Sequence, residues 1–220
     1  MDSSEAPWRS IGLVATDGGG RCTGAVIGPR QVLTAAHCLV TIRTAEPVAP
    51  RGVHYIIGPS AQGAGRRVAV ASIFVAPGFR VLPGIRPDPN VPPDADWAIL
   101  TLDPAAPEAP PDFVLPMVTG LMPPWTVLVF GGYQPDRGRG LVADLECWIV
   151  GYGRIETGQL MLHHSCSGTS GSSGGPLLAR QPDGTWMVAG VGSMAINNAA
   201  GGWAVPARTI ARVLAEAPLR

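Results

Sequence analysis

Gly171-Ser172-Ser173-Gly174-Gly175-Pro176 is the stretch of this 220-residue chain best suited to chemistry. A serine hydroxyl set among glycines sits where the backbone turns sharply and leaves its N–H groups free to face a bound oxygen, which is what acyl transfer requires. Serine is a poor nucleophile near neutral pH. It needs a histidine to take its proton and a carboxylate to orient that histidine. His37 stands in Leu33-Thr34-Ala35-Ala36-His37-Cys38, and Asp96 opens Asp96-Trp97-Ala98-Ile99-Leu100. Taken singly, Ser173 reads as a turn serine, His37 as a core histidine and Asp96 as a carboxylate at a strand start. The coincidence of all three favours the catalytic reading.

In the order His37, Asp96, Ser173, these stretches resemble the chymotrypsin/trypsin family of serine peptidases, and the resemblance spans roughly Pro7 to Val213. Other triad hydrolases use other orders, so the order bears on fold as well as reaction. Asp94 is a rival to Asp96, set aside because the apolar run that follows the family's aspartate begins directly after Asp96. His54, His163 and His164 lie in no such motif and are read as surface or strand residues. The resemblance implies an all-β protein of two six-stranded antiparallel β-barrels with a C-terminal α-helix. Residues 1–105 would form the N-terminal barrel with His37 and Asp96, and residues 106–220 the C-terminal barrel with Ser173. Ser173 would attack a peptide carbonyl, His37 would relay the proton and Asp96 would hold the imidazole. The N–H groups of Gly171 and Ser173 would form the oxyanion hole, with no cofactor and no metal. By the same resemblance Ser167, six positions before Ser173, would fall at the base of the primary specificity pocket, with Gly168, Gly192, Ser193, Met194 and Ala195 as walls. None of these is a carboxylate, so a P1 Arg or Lys would be buried unpaired, and Gly192 stands where some acidic-specific relatives have a histidine. An uncharged, small-to-medium apolar P1 follows. Two other function classes are a noncatalytic protein-binding homologue, which in this family usually lacks a triad member, and an esterase using the same triad.

The chain departs from animal trypsins in ways that resemble the bacterial trypsin-like and glutamyl endopeptidase branch. Ser172 stands where those trypsins have aspartate, and Cys166-x-x-Thr169 precedes the loop. Ser172 cannot neutralise a buried ammonium, and no Ile-Val-Gly-Gly start is present, so the oxyanion loop is expected to be ordered by local hydrogen bonds from Ser172 or Thr169. By the same resemblance Cys22 pairs with Cys38, bracing the histidine loop by about 3 kcal/mol, and Cys147 then pairs with Cys166. On count alone four cysteines also allow buried thiols or a metal site, but they lack the closely spaced pairs of a zinc site. Disulfides point to an oxidising compartment. Met1-Asp2-Ser3-Ser4-Glu5 has neither the basic nor the apolar region of a secretory signal. The expectation is a secreted or periplasmic bacterial monomer whose signal peptide has been removed.

The elements that must position these residues read as two strand-rich halves. All 16 basic residues are arginine, against 16 acidic ones, so no net charge points to nucleic acid or an anionic membrane. The 29 Gly and 23 Pro suit a β-rich fold with many turns. No apolar run reaches the roughly 18 residues of a membrane span. Ile11–Thr16, Arg21–Gly28, Gln31–Thr34, Val53–Gly58, Arg67–Ala76 and Trp97–Leu102 are β-prone runs, with one helical turn over Ala35–Val40. Pro77 to Asp94, dense in Pro and Gly, reads as a surface loop without elements of its own, delivering the chain to Asp96. Asp103 to Asp112 reads as a stiff connector between folding units. Beyond it, Thr126–Phe130, Leu141–Val150, Gly158–Leu162, Pro176–Ala179, Thr185–Val191 and Gly202–Val205 are further strands. A helix over Pro206–Ala217 carries Ile210, Val213 and Leu214 on one stripe.

Overall fold

The computed structural model describes residues 1–60, 63–154, 159–196 and 199–216. The first half contains β1 (Ile11–Thr16), β2 (Arg21–Gly28), β3 (Gln31–Thr34), β4 (Val53–Ile57) and β5 (Arg66–Val75). A small hairpin of β6 (Val81–Leu82) and β7 (Arg86–Pro87) precedes β8 (Ala98–Leu102). The second half contains β9 (Val127–Gly132), β10 (Val142–Arg154), β11 (Leu160–His164), β12 (Pro176–Arg180), β13 (Trp186–Ala195) and β14 (Gly202–Pro206), followed by helix α1 (Ala207–Glu216). Each half closes on itself as a six-stranded barrel, in the orders β1-β2-β3-β8-β5-β4 and β10-β11-β14-β13-β12-β9. Among the described residues the named strands within each barrel pair antiparallel throughout. The expected strands Gly158–Leu162 and helix Pro206–Ala217 each reach a residue, Gly158 and Ala217, outside those described.

Register decides where the chemistry lies. In the first barrel Val32 pairs with Leu100, Leu33 with Ile99 and Thr34 with Ala98. Because the strands are antiparallel, the chain leaving β3 after Thr34 and the chain entering β8 before Ala98 meet at one barrel end. His37, on a 3-10 turn over Ala36–Leu39, and Asp96 therefore emerge together. In the second barrel Pro176 pairs with Val191, so Ser173, just before β12, and Ser193, late in β13, share an end as well. Leu33, Ile99 and Leu100 are fully buried beneath the first end, and Leu177 and Leu162 beneath the second. Each such side chain contributes about 1.5–3 kcal/mol relative to exposure. Trp97, 1% exposed and tilted against Phe74, anchors the strand start next to Asp96.

One expectation changes. Residues 77–94 carry the β6-β7 hairpin and a 3-10 turn over Pro93–Ala95. Pairs only two residues long give no periodic signal, so the sequence showed only Pro and Gly there. The segment after β8 is also strapped to both barrels. Leu115 N–H donates to Val26 O, Val118 N–H to Val188 O and Val188 N–H to Pro116 O, while the Arg30 guanidinium donates to Asp103 O and Ala106 O. Disulfides join Cys22 to Cys38 and Cys147 to Cys166. Ile210 is buried and Val213 and Leu214 partly so, packing α1 against the core. Among the described residues no helix is long and apolar enough to cross a membrane.

Candidate active site

His37 and Asp96 form a tight, largely buried pair, 15% and 14% exposed. His37 Nδ1 lies 2.7 Å from Asp96 Oδ2, and the His37 backbone N–H donates to Asp96 Oδ1 at 2.9 Å. Ser193 Oγ donates to the same Oδ2 at 2.5 Å. An ionised carboxylate only accepts, so Nδ1 carries the proton toward Asp96, and in the neutral ring Nε2 is left as the basic nitrogen. Burial works against charge on both groups. For His37, the Asp96 charge and hydrogen bond outweigh burial and hold the imidazole above its ordinary value. For Asp96, the His37 charge and the bonds from His37 and Ser193 outweigh burial and hold the carboxyl below its ordinary value. Asp94 is half-buried on the neighbouring 3-10 turn, outside this cluster, where burial holds its carboxyl up.

Ser173 lies on a loop that both barrels hold. Ser173 O accepts from Thr23 N–H at 2.9 Å, and Cys38 Sγ lies 3.9 Å from the same oxygen, so the backbone of Ser173 is seated beside the His37 turn. Gly174 N–H donates to Gly192 O at 2.8 Å, and Gly175 N–H to Ser172 O at 2.9 Å. Gly171 O accepts from Thr23 Oγ1 at 2.8 Å, and Ser172 N–H donates to Thr169 O at 3.0 Å. With these peptides tied, the N–H groups of Gly171 and Ser173 meet no acceptor among the described residues. Gly171 has φ +94° and Gly174 φ +77°, a region that L side chains rarely adopt. A Cβ at Gly171 would collide with Tyr133 O, and one at Gly174 with Thr34 Oγ1 and Ala35 N. The glycines are thus required by both backbone shape and space. Ser173 Oγ has no hydrogen-bond partner among the described residues, and bonds of the Ser-to-His kind often close only around a substrate.

Two cavities adjoin, and Ser193 and Met194 line both. The smaller, about 170 Å³, opens at Ser173 and is lined by Gly168, Gly192, Ser193, Met194 and Ala195 together with Phe130 and His164. The Phe130 ring lies against Gly168 and Gly192, where a Cβ would come within 2.7 and 2.8 Å of it. Ser167 does not line this cavity. It is exposed, and its N–H donates to Asp144 Oδ2 at 2.8 Å. His164 is a strand residue at the end of β11: it is 4% exposed, its Nδ1 has no hydrogen-bond partner among the described residues, and burial, helped by the charge of His163, pushes it down to about 4. The alternation Leu162, His164, Cys166 places it on the inner face, a period-two signal readable in the sequence. Phe130 follows Leu128 inward by the same rule. His163 faces the other way and stacks on Trp203, and His54 pairs with Asp17. The larger cavity, about 720 Å³, extends from His37 and Asp96 under the segment from Phe79 to Pro93, and Phe79, Val81, Ile85, Val91 and several prolines make it mainly apolar.

A pair of closed six-stranded antiparallel barrels followed by a C-terminal helix is the architecture of chymotrypsin-like proteins. A family model described as Trypsin matches residues 2–214, and the chain belongs to the trypsin family. Among solved structures it is similar to a Glu endopeptidase in complex with MPD, at 18% identity and TM-score 0.67, covering 97% of this chain and 93% of that one. It is similar also to the Rv3671c protease from M. tuberculosis in its active form, at 20% identity and TM-score 0.65, covering 96% and 82%. The inactive form of that protease matches at 21% identity and TM-score 0.63, covering 96% and 90%. At these identities the likeness is one of fold.

Proposed function

We propose that this protein is a serine endopeptidase that cleaves peptide bonds through an acyl-enzyme on Ser173. The observation that carries the reading is the conjunction of a His37 Nδ1 held by Asp96, which leaves Nε2 as the basic nitrogen, and a Ser173 whose own N–H and that of Gly171 meet no acceptor among the described residues. In this mechanism Nε2 of His37 takes the Ser173 proton as Oγ attacks the scissile carbonyl, and the carbonyl oxygen becomes an anion held by the Gly171 and Ser173 N–H groups. His37 then protonates the leaving amine, and water repeats the sequence to release the acid. Asp96 stays ionised throughout, its charge supporting the imidazolium that forms. The two disulfides suit a secreted or periplasmic protein.

The cavity at Ser173 supports an uncharged P1 side chain. Phe130 closes it with an apolar face, and His164 is neutral near pH 7. Ala, Val, Leu and Met fit a space of this size. The larger apolar cavity takes side chains beyond P1. Labelling by a fluorophosphonate, lost in Ser173→Ala, tests the nucleophile, and cleavage of an unbiased peptide mixture tests both specificity and peptidase chemistry. A chain that neither labels nor cleaves would refute the proposal, and a strong preference for P1 Arg would refute the pocket.

A further inference from the structure

Among the described residues the loop before Ser173 makes no ion pair, yet several of its peptides are held by hydrogen bonds. Gln134, just after β9, is 4% exposed and reaches that loop. Its side-chain Oε1 accepts from Thr169 N–H at 3.1 Å and lies 2.8 Å from Thr169 Oγ1. A backbone N–H can only donate, so the Gln134 atom facing it is the carbonyl oxygen and the amide orientation is set. The single Thr169 hydroxyl proton is shared between this oxygen and Asp136 Oδ1, 2.5 Å from Oγ1. Thr169 in turn offers its backbone oxygen to Ser172 twice, to the N–H at 3.0 Å and to Oγ at 2.6 Å. The peptide between Gly171 and Ser172 is then tied at both ends, its oxygen by Thr23 Oγ1 and its N–H by Thr169 O. That double tie fixes the peptide lying between the two that carry the Gly171 and Ser173 N–H groups, neither of which meets an acceptor among the described residues.

We infer that Gln134 is a positioning residue for the oxyanion loop, acting through Thr169 and Ser172 to hold the Gly171 and Ser173 N–H groups toward the substrate by hydrogen bonds to the loop's backbone and hydroxyls. This rests on the proposed peptidase reading. Gln134 touches neither substrate nor reacting atoms, so it acts only on the orientation of the donors. Losing a donor of this type outright typically costs a hundredfold or more in turnover. Loosening both without removing either is expected to cost on the order of 10-fold.

The test compares wild type with Gln134→Met, which keeps the volume and removes the acceptor, and with Ser172→Ala, which removes one bond farther along the same chain. Each variant is expected to lose on the order of 10-fold in kcat with KM nearly unchanged, and the double variant to lose less than the product of the two, because both act through one path. A peptide aldehyde, whose adduct with Ser173 places an oxyanion in the hole, should bind correspondingly more weakly, while the matching peptide alcohol binds as before. Thermal unfolding confirms that each variant is folded, and Ser172→Ala keeps the test open should Gln134→Met fail to fold. Wild-type kcat in folded Gln134→Met, or equal weakening of aldehyde and alcohol, overturns the inference. Wild-type protein that fails to react with a fluorophosphonate would instead overturn the peptidase reading beneath it.

Discussion

Replacing Asp96 with asparagine should reverse the direction in which the protein shifts His37. In the native site burial disfavours the imidazolium, yet the Asp96 charge and its 2.7 Å bond at Nδ1 more than offset this, so the ring titrates above 6.5. Asp96→Asn keeps the burial and removes the charge. The ring should then titrate below 6.5, and each unit of that fall corresponds to about 1.36 kcal/mol of lost preference for the protonated form. Since the base must be neutral, kcat/KM in the native protein should decline as pH falls through a value above 6.5, and in Asp96→Asn the acid limb should move to lower pH. The plateau should drop as well. An asparagine amide can donate to Nδ1, placing the proton on Nε2 where no base remains, and comparable loss of tautomer control costs about 10⁴-fold in turnover. The assay is kcat/KM across pH 4–9 on a neutral peptide substrate, with fluorophosphonate inactivation rates over the same range as a second probe. An acid limb in Asp96→Asn at or above the native position would refute the reasoning.

Ser173→Ala should abolish hydrolysis, a loss on the order of a million-fold, while leaving the unfolding transition in place, as activity and thermal unfolding together would show. The His37–Asp96 pair should stabilise the fold most fully between about pH 3.8 and 6.5. That contribution is lost on the acid side as pH falls through the depressed Asp96 value and on the alkaline side as pH rises through the raised His37 value, and stability curves of native and Asp96→Asn protein would reveal it. Gly174→Ala should destabilise by several kcal/mol, on the order of 3, because φ +77° and the contacts with Thr34 and Ala35 both resist a Cβ; denaturant midpoints measure this. Replacing Cys22 and Cys38 together by serine should cost about 3 kcal/mol by the same measurement, as expected for a loop of 16 residues.

Chemistry-bearing residue types and most strands were legible in the chain because their signals are local. Short β-prone runs broken by Gly18-Gly19-Gly20 and Gly28-Pro29 marked β1, β2 and β3 to the residue, and the glycines around Ser173 announced a turn that only they allow. The inward alternation of Leu162, His164 and Cys166 was equally local, although His164 lay outside any motif. What the tertiary structure decided depends on residues far apart in sequence. Gln134 carries no signal of its own; it matters because β9 ends beside Thr169, 35 residues later. Thr23, 148 residues before Gly171, meets that loop only because two separately closed barrels dock there. Ser167 is exposed, with its N–H donating to Asp144 on β10, and the tertiary structure brings Phe130 and His164 to the cavity beside Ser173. Likewise the hairpin of β6 and β7 gains its shape from partners rather than pattern, with Gly84 N–H donating to Ile42 O and Arg80 paired with Asp88. Short local preferences set which residues extend, turn or react, whereas register and barrel closure, being long-range, set which of them share a site.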